Sequence, residues 1–263
     1  MTTAALPRIM VAPNGAQRGK ADHPALPVTI PEIVACAAEC LAAGADGIHA
    51  HVRDAEGRHV LDAGLYAELT AELARAVPGM AVQITTEAVG RYTPAEQRAL
   101  VARLRPASVS VALREITAEP DTRLTRAFFH DCGAGGTAVQ HILYSAEEVD
   151  RLAALVADGT IPDRPLQLLH VLGRYSAGQV SSPADLAAPL ARQRAAGLQA
   201  DWAVCAFGPD ETGCLLAARR AGGKMRIGFE NNLLMADGSL AASNAARVAE
   251  LVSRLTDPQA DQG

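Results

Sequence analysis

Two histidines separated by one small residue end a short apolar segment of the chain. His49 and His51 lie in residues 46–54 (DGIHAHVRD), a run with the character of a buried strand. Side chains alternate between the two faces of a strand, so both imidazoles share a face, with Cα atoms about 6.6 Å apart. Imidazole nitrogens bind Zn²⁺ at about 2.0–2.1 Å, and two rings at this separation can reach one ion. The alternative is that both are ordinary core residues.

The composition limits the class of protein. The chain has 263 residues, a formal net charge of −5, four Phe, four Tyr and one Trp, and its basic residues are dispersed. These values predict a folded protein without a nucleic-acid-binding surface. The five cysteines are odd in number and form no CxxC pair, which favours reduced thiols and a cytoplasmic location. The sequence shows no signal peptide and no apolar run of about 18 residues, so we expect no membrane association.

A strand, a turn and an amphipathic helix recur eight times along the chain. The predicted strands are residues 8–12, 47–52, 81–86, 108–113, 138–143, 166–171, 202–207 and 225–230. Capping boxes at Thr29 and Ser145, and prolines after Thr93 and Ser182, predict helix starts. Eight such units predict a closed (β/α)8 TIM barrel, since the first turn lacks the GxGxxG of a doubly wound sheet. We expect one domain over residues 1–256 and a disordered tail over 257–263.

The barrel fold gives the two histidines a third partner. Chemistry in such barrels takes place at the C-terminal ends of the strands. His49 and His51 end the second predicted strand, and Glu230 ends the eighth. Both strands neighbour the first in a closed barrel, so Glu230 can complete a metal site. Two histidines, one carboxylate and open positions suit catalytic Zn²⁺ or non-haem Fe²⁺. The alternative for Glu230 is an ion pair with a nearby arginine.

Other predicted strand ends are also polar. These residues are Asn14, Thr85, Thr86, Glu87, Ser108, Ser110, His141 and His170, with Arg174 after the sixth strand. Hydroxyl groups in strands are often only packing residues, and each of the two single histidines has a structural alternative. Four arginines permit an acidic or polar substrate tail, or are solvated surface charges: Arg53, Arg91, Arg114 and Arg174.

Several segments of the chain resemble the β-keto acid cleavage enzymes, and the resemblance covers nearly the whole length. The matching segments are residues 15–16 (GA), 26–32 (LPVTIPE), 48–53 (IHAHVR), 83–86 (QITT), 171–173 (VLG), 202–204 (WAV) and 226–232 (RIGFENN). The resemblance implies a homo-oligomeric (β/α)8 barrel that holds Zn²⁺ through His49, His51 and Glu230. It also implies a transferase that joins a β-keto acid to acetyl-CoA and releases acetoacetate and a new CoA ester.

The resemblance also implies roles for residues around the metal. A β-keto acid chelates a metal through its keto and carboxylate oxygens, and the Lewis acid stabilises the enolate. Thr85 and Ser108 are expected to donate to developing oxyanions, and Arg226 to orient the acidic partner or the substrate carboxylate. The residues expected to contact substrate are Asn14, Thr86, Ser110 and Arg53.

The chain departs from the family pattern at three positions. The family's aspartate after the ligand glutamate is Asn231 here, and an amide cannot act as a general base near neutral pH. A family glutamate aligns with His141, and the family's Ser-Thr-Gly-Gly reads TTEA over residues 85–88, which introduces Glu87. One hypothesis moves the base to His141 or Glu87. The other is a changed reaction or a changed substrate.

Two rival functions remain open at this point. A metallohydrolase barrel would add His141 and His170 to the histidine pair and would act without CoA. A protein that lost its base at Asn231 would bind metal and keto acid without turnover. The ligand set also permits Fe²⁺ oxygenase chemistry, without other support. Schiff-base aldolase chemistry is excluded, because the only two lysines lie in a loop and at a strand entrance.

Overall fold

A computed structural model of the chain describes residues 5–163 and 165–256. Eight parallel strands close into a barrel in sequence order, with the first strand paired to the eighth. The strands are β1 Ile9–Val11, β2 Gly47–Ala50, β3 Ala81–Thr85, β4 Ser108–Ala112, β5 Ala138–Leu143, β6 Leu166–Leu172, β7 Ala200–Ala206 and β8 Lys224–Ile227. The predicted (β/α)8 fold is confirmed. The predicted disordered tail at 257–263 lies outside the described residues.

Helices follow the strands and surround the barrel. They are α1 Ile30–Ala42, α2 Ala63–Ala76, α3 Pro94–Leu104, α4 Leu113–Ile116, α5 Thr122–Ala134, α6 Ala146–Ala157, α7 Ala187–Ala195, α8 Glu211–Arg220 and α9 Asn244–Thr256. The predicted helix start at Ser182 opens a short 3₁₀ helix, Pro183–Leu186. Within the described ranges, no helix has the length and apolarity that a bilayer crossing requires.

The helix starts test the capping predictions directly. Thr29 and Thr93 each form a complete capping box with the glutamate three residues later. The box predicted at Ser145 is wrong, because this side chain makes no capping hydrogen bond. Glu148 instead accepts a hydrogen bond from the Tyr144 backbone N–H at 2.7 Å, and its other oxygen pairs with an arginine. The Glu148 carboxylate is therefore occupied by other partners and does not complete a capping box with Ser145.

The strands that carry the candidate ligands end earlier than predicted. β2 ends at Ala50 and β8 ends at Ile227, so His51 and Glu230 lie in the turns that follow. Gly228 has φ +145°, and a Cβ placed there would lie 2.4 Å from the carbonyl oxygen of Ala12. The chain turns at this glycine, and the Glu230 backbone N–H then donates to Ala12 at 3.1 Å. The turn brings the carboxylate toward the first strand.

The barrel interior contains both apolar and polar side chains. On β4 to β7 it holds a cluster of apolar side chains: Ala112, Ile142, Leu169, Val171, Ala203 and Cys205. It also holds His49, Gln83, Gln140 and Arg226, all buried. A larger apolar cluster fills the space between the strands and the helices. The three candidate ligands lie on the side formed by β8, β1 and β2.

Candidate metal and substrate site

Three side chains converge where β2 and β8 end. The Nε2 atoms of His49 and His51 are 3.2 Å apart. Glu230 Oε2 lies 3.6 Å from the first of these nitrogens and 3.5 Å from the second. Both histidines are buried, with 1% and 0% of their surfaces exposed. Among the described residues, this is the group of histidine, cysteine and carboxylate side chains spaced to hold a metal ion.

The spacing of these three atoms fits a tetrahedral metal. Ligand atoms bonded to Zn²⁺ at about 2.0–2.2 Å are about 3.3 Å apart at the tetrahedral angle. The observed separations of 3.2, 3.5 and 3.6 Å lie close to this value. Glu230 Oε2 is also buried and makes no hydrogen bond to any described residue. A buried carboxylate oxygen without a donor is the atom that a cation would satisfy.

A chain of amides fixes the tautomer of His49. Gln140 Nε2 donates to the Leu168 carbonyl oxygen at 3.2 Å, so its Oε1 accepts from Gln83 Nε2 at 3.0 Å. The remaining amide oxygen of Gln83 lies 2.9 Å from His49 Nδ1 and must accept. His49 therefore carries its proton on Nδ1. Its Nε2 lone pair points at the other two ligands.

A third histidine fixes the tautomer of His51. His59 Nε2 lies 3.0 Å from the carbonyl oxygen of Glu87, which only accepts, so this nitrogen carries a proton. Burial lowers the pKa of His59 to about 4, and the neutral ring therefore has an unprotonated Nδ1. His51 Nδ1 lies 3.4 Å from that nitrogen and is the donor. The lone pair of His51 is thus also on Nε2, facing Glu230.

The charge states suit cation binding. Burial lowers the pKa of His49 to about 4, with Arg226 as the next contribution, and burial lowers the pKa of His51 well below its usual range. Both rings are neutral at pH 7, which is the form that binds a metal. Burial is the largest influence on Glu230 and opposes its ionisation, but Arg226, His49 and His51 together outweigh burial and hold the pKa of that carboxyl well below its usual range. Arg226 Nη2 donates to Glu230 Oε1 at 2.9 Å.

Buried polar atoms without a partner mark where a ligand would bind. Among the described residues, Arg226 Nε and Nη1, Ser110 Oγ and both amide atoms of Asn231 are buried and make no hydrogen bond. An unsatisfied buried polar group costs about 1–3 kcal/mol. Thr85 Oγ1 accepts from the Glu87 backbone N–H at 3.0 Å, which leaves its hydroxyl hydrogen free to donate. These groups supply hydrogen-bonding capacity that the fold itself leaves unused.

Glu87 faces the same space. Its Oε2 lies 3.8 Å from His51 Nδ1, and its Oε1 lies 4.0 Å from Arg174 Nη2. Burial, with Glu230 as the next contribution, raises the pKa of Glu87 to about 7. With Arg18, Arg174 and Glu230 it lines a pocket that opens at the C-terminal face of the barrel. The introduced glutamate therefore stands at the candidate site.

Three residues predicted to contact substrate form hydrogen bonds within the protein. Asn14 donates from Nδ2 to the His51 carbonyl oxygen at 2.8 Å and accepts from the His51 N–H at 3.2 Å. Arg53 donates to the carbonyl oxygens of Asn14, Gly15, Arg18 and Gly57. Thr86 Oγ1 donates to the Ser110 carbonyl oxygen at 3.2 Å. These hydrogen bonds hold the loops that carry the site, and Asn14 also lines the pocket beside Glu230.

Ser108 does not reach the pocket. It is the first residue of β4, so it lies at the N-terminal end of that strand, away from the catalytic face. Its hydroxyl group accepts a hydrogen bond from Gln83 Nε2 at 3.4 Å. The serine therefore stands behind His49 and supports the amide that orients it. Of the two predicted hydroxyl donors, Thr85 is the one at the end of its strand.

The prediction that His141 replaces the missing base is contradicted by the direction of its side chain. Gln140 points into the barrel, where it meets Gln83 across the interior, so its neighbour His141 points outward. The His141 ring packs on Phe129 of α5, with centroids 5.1 Å apart. His170 also points outward, and its Nε2 pairs with Gln193 of α7 at 2.9 Å. Neither histidine joins the cluster, which removes the further ligands that a metallohydrolase needs.

Four residues of the site were absent from the prediction. His59, Gln83, Gln140 and Arg18 all contact the cluster or its pocket. The two glutamines carried a usable signal, since a polar residue in an otherwise apolar strand requires an internal hydrogen-bond partner. His59 and Arg18 lie in loops, where sequence periodicity says nothing about direction.

Comparison with known proteins identifies the family of the chain. The family model for beta-keto acid cleavage enzymes matches residues 8–260. The 3-oxoadipate:acetyl-CoA acetyltransferase of Cupriavidus necator is 26% identical over 250 residues, which cover 93% of this chain and 87% of that protein. The 3-keto-5-aminohexanoate cleavage enzyme of Fusobacterium nucleatum is 27% identical over 253 residues, covering 94% and 89%.

Solved structures share the fold. The structure titled apo ObcA superimposes with a TM-score of 0.70 at 17% identity, covering 88% of this chain; the chain spans 62% of that structure's length. A 3-dehydroquinate dehydratase from Geobacillus kaustophilus gives a TM-score of 0.56 at 13% identity, with 96% and 93% covered. At these identities the likeness concerns the barrel alone. The family assignment comes from the sequence match over most of the chain: the protein belongs to the beta-keto acid cleavage enzyme family.

Proposed function

We propose that this protein is a zinc-dependent transferase that exchanges acyl groups between a β-keto acid and acetyl-CoA. The β-keto acid R–CO–CH₂–COO⁻ and acetyl-CoA give acetoacetate and R–CO–CoA. The convergence of His49, His51 and Glu230 within a chain of this family is the observation that carries the proposal. A relative at 26% identity is named as an acetyl-CoA acetyltransferase, which supports acetyl-CoA as the co-substrate.

The cluster is the proposed zinc site. His49 and His51 would each bind through Nε2 and Glu230 through Oε2, with the remaining position left for substrate. Bound zinc supplies a Lewis acid that polarises the oxygens of a chelating keto acid. The nitrogen-rich ligand set with near-tetrahedral spacing favours Zn²⁺ over Mg²⁺ or Ca²⁺, which prefer oxygen ligands.

Free donors in the pocket bind and orient the substrate. Arg226 uses Nη2 to hold Glu230, and its two unpartnered nitrogens are available to a carboxylate oxygen. Thr85 and Asn231 supply a hydroxyl and an amide N–H to oxygens that gain negative charge. A donor of this kind that is aimed at the developing charge stabilises the transition state by about 3 kcal/mol. Asn231 acts here as a hydrogen-bonding group because it cannot accept a proton.

Glu87 is the proposed base for the methylene protons of the keto acid. Asn231 is an amide and His141 faces the helices, so neither can remove a proton in the pocket. Glu230 is committed to the zinc site. Glu87 is the other carboxyl group among the described residues that line this pocket, and it stands 3.8 Å from His51. It removes a proton before the new C–C bond forms and returns one to the departing acetoacetate.

An isotope experiment tests the reaction. Acetyl-CoA labelled with ¹³C at both acetyl carbons is incubated with an unlabelled β-keto acid, and acetoacetate is analysed by NMR. We expect label at C3 and C4 of acetoacetate and none at C1 or C2, because the acetyl group becomes the ketone end. Product formation without CoA would instead indicate the hydrolase alternative. Zinc and keto-acid binding without product would indicate the non-catalytic alternative.

Glu87→Gln tests the base separately. We expect this variant to keep its zinc and lose deuterium exchange at the substrate methylene in D₂O, since exchange requires only proton removal. Arg58→Gln is the matched control, because Arg58 is 62% exposed and pairs with Asp54 outside the pocket. Exchange at the unaltered rate in Glu87→Gln would assign the base elsewhere. A homo-oligomeric state and a cytoplasmic location stay predictions, to be tested by light scattering and cell fractionation.

A further inference from the structure

The arginines at the catalytic face are not equivalent. Both terminal nitrogens of Arg53 donate to backbone carbonyl oxygens, in the loop after β1 and in the loop after β2. Arg114 pairs with Glu148 at 2.6 Å and lies over the rings of Tyr144 and Tyr175. Arg91 donates to the His59 carbonyl oxygen at 3.3 Å. These three guanidinium groups have structural partners and do not line the pocket beside Glu230.

Two other arginines do line that pocket. Arg18 donates from one nitrogen, Nη1, to the carbonyl oxygen of Phe229. The guanidinium group of Arg174 makes no hydrogen bond to any residue in the described ranges. Its contacts are Glu87 at 4.0 Å and the rings of Phe207 and Tyr175, 5.1 Å and 5.9 Å from its central carbon. Several N–H donors of Arg18 and Arg174 therefore have no acceptor among the described residues.

The charges around these donors favour an anion. Burial lowers the pKa of Arg18, and the positive charge of Arg174 lowers it further, so the two guanidinium groups repel each other across the pocket. The carboxylates that offset them are Glu87 and Glu230, together with Asp22 and Glu211 near Arg18. Glu230 is already paired with Arg226. An anion bound between the two arginines would relieve their repulsion and fill their free donors.

We propose that Arg18 and Arg174 form a carboxylate-binding subsite that selects β-keto acids with a second anionic group at the far end. This proposal rests on the proposed function, because the keto acid end must lie at the zinc ligands. Arg18, Arg174 and Glu230 line one pocket, so a substrate held beside Glu230 can extend its tail toward the two arginines. The phosphates of CoA are the other source of anionic oxygens. The pantetheine arm places them far from the thioester, which favours the substrate tail.

The test compares two substrates of equal length. One is a six-carbon 3-oxo dicarboxylate, and the other is the six-carbon 3-oxo monocarboxylate with an apolar tail. We expect the wild-type protein to prefer the dicarboxylate. In Arg174→Gln and in Arg18→Gln, kcat/KM for the dicarboxylate should fall about 10- to 100-fold, the range of a lost charged hydrogen bond. Because Arg174 also contacts the proposed base Glu87, the readout is the ratio of kcat/KM for the dicarboxylate to kcat/KM for the monocarboxylate, which should fall by about the same factor since the monocarboxylate lacks the bonded group.

Controls separate folding, charge and CoA effects. Arg58→Gln removes a positive charge from a neighbouring loop outside the pocket and should leave both substrates unchanged. Arg174→Lys keeps the charge and should recover part of the dicarboxylate preference, while thermal unfolding confirms that each variant is folded. A rise in KM for acetyl-CoA with no change in the substrate preference would assign the arginines to CoA phosphate and overturn the proposal.

Binding is measured apart from turnover. Calorimetry with the dicarboxylate and no acetyl-CoA should show weaker binding in Arg174→Gln by about 10-fold or more. If no keto acid yields acetoacetate but this binding difference is present, the proposed function fails and the subsite stands. Equal binding of the dicarboxylate and the monocarboxylate by the wild-type protein would overturn the subsite whatever the reaction is.

Discussion

Two pairs of histidines lie on strands of the same barrel or directly after them, one pair facing the interior and the other facing the helices. Burial lowers the pKa of His49 and of His141 alike, to about 4. The neighbours differ. His49 has a charged guanidinium, a carboxylate and an amide around it, whereas burial alone shifts the pKa of His141. A perturbed pKa therefore does not identify the site here; the partners that cause it do.

The largest effect should come from removing an inward ligand. We expect His51→Ala and Glu230→Gln to lose bound zinc and about 10³-fold or more in turnover, because both variants break the three-ligand set. Metal content by mass spectrometry and acetoacetate formation measure the two losses. His141→Leu is the matched control on the outward face and should keep both. Full zinc content in Glu230→Gln would exclude this carboxylate as a ligand.

A smaller effect should follow from changing the residue behind His51. His59→Phe keeps a ring in this position but removes the acceptor for His51 Nδ1–H. We expect zinc affinity to fall about 10- to 100-fold, the range for partners of metal ligands, as measured by competition with a chelating dye. Nitrogen chemical shifts of the metal-free protein should show His51 losing its single tautomer. Unchanged affinity and an unchanged tautomer would contradict the arrangement deduced above.

The smallest effect concerns the outward pair and the stability of the fold. His141 has a native pKa of about 4, below the value of an unfolded chain, so the unfolded state binds more protons as pH falls. Its stabilising contribution is complete above about pH 6.5 and is lost on acidification toward pH 4. His141→Leu should make denaturant-measured stability less dependent on pH, by on the order of 1 kcal/mol between pH 7 and 5.5. An identical acid dependence would contradict the buried neutral ring.

The difference between the pairs also shows where sequence reasoning stops. The eight strand–helix repeats carry the fold, and the convergence of His49, His51 and Glu230 follows from it. The repeats did not predict that the His141 side chain points outward, toward the helices. Both faces of a parallel barrel strand are buried, and each face of residues 138–143 carries two apolar side chains and one polar side chain, so no alternation of polarity assigns a face.

Loop residues set a second limit. Nothing in the local sequence of His59 or Arg18 indicates that one contacts a ligand histidine and the other lines the pocket. Arg53 shows the converse. Its type and position suggested contact with the substrate, but its Nη2 donates to carbonyl oxygens of the loop that follows β1. Each outcome depends on how loops from different strands pack together, which is a tertiary property.

The three ligands enter from distant parts of the chain, two after the second strand and one after the last. They meet because β1 pairs with β2 on one side and β8 on the other. Until the final strand is seated, a nascent chain offers only a bidentate, low-affinity chelate. Zinc bound at the proposed site would therefore hold the first, second and last strands together, and its binding free energy would stabilise the fold only once the barrel has closed. The decrease in melting temperature on adding a chelator would therefore measure how much bound metal stabilises the closed barrel.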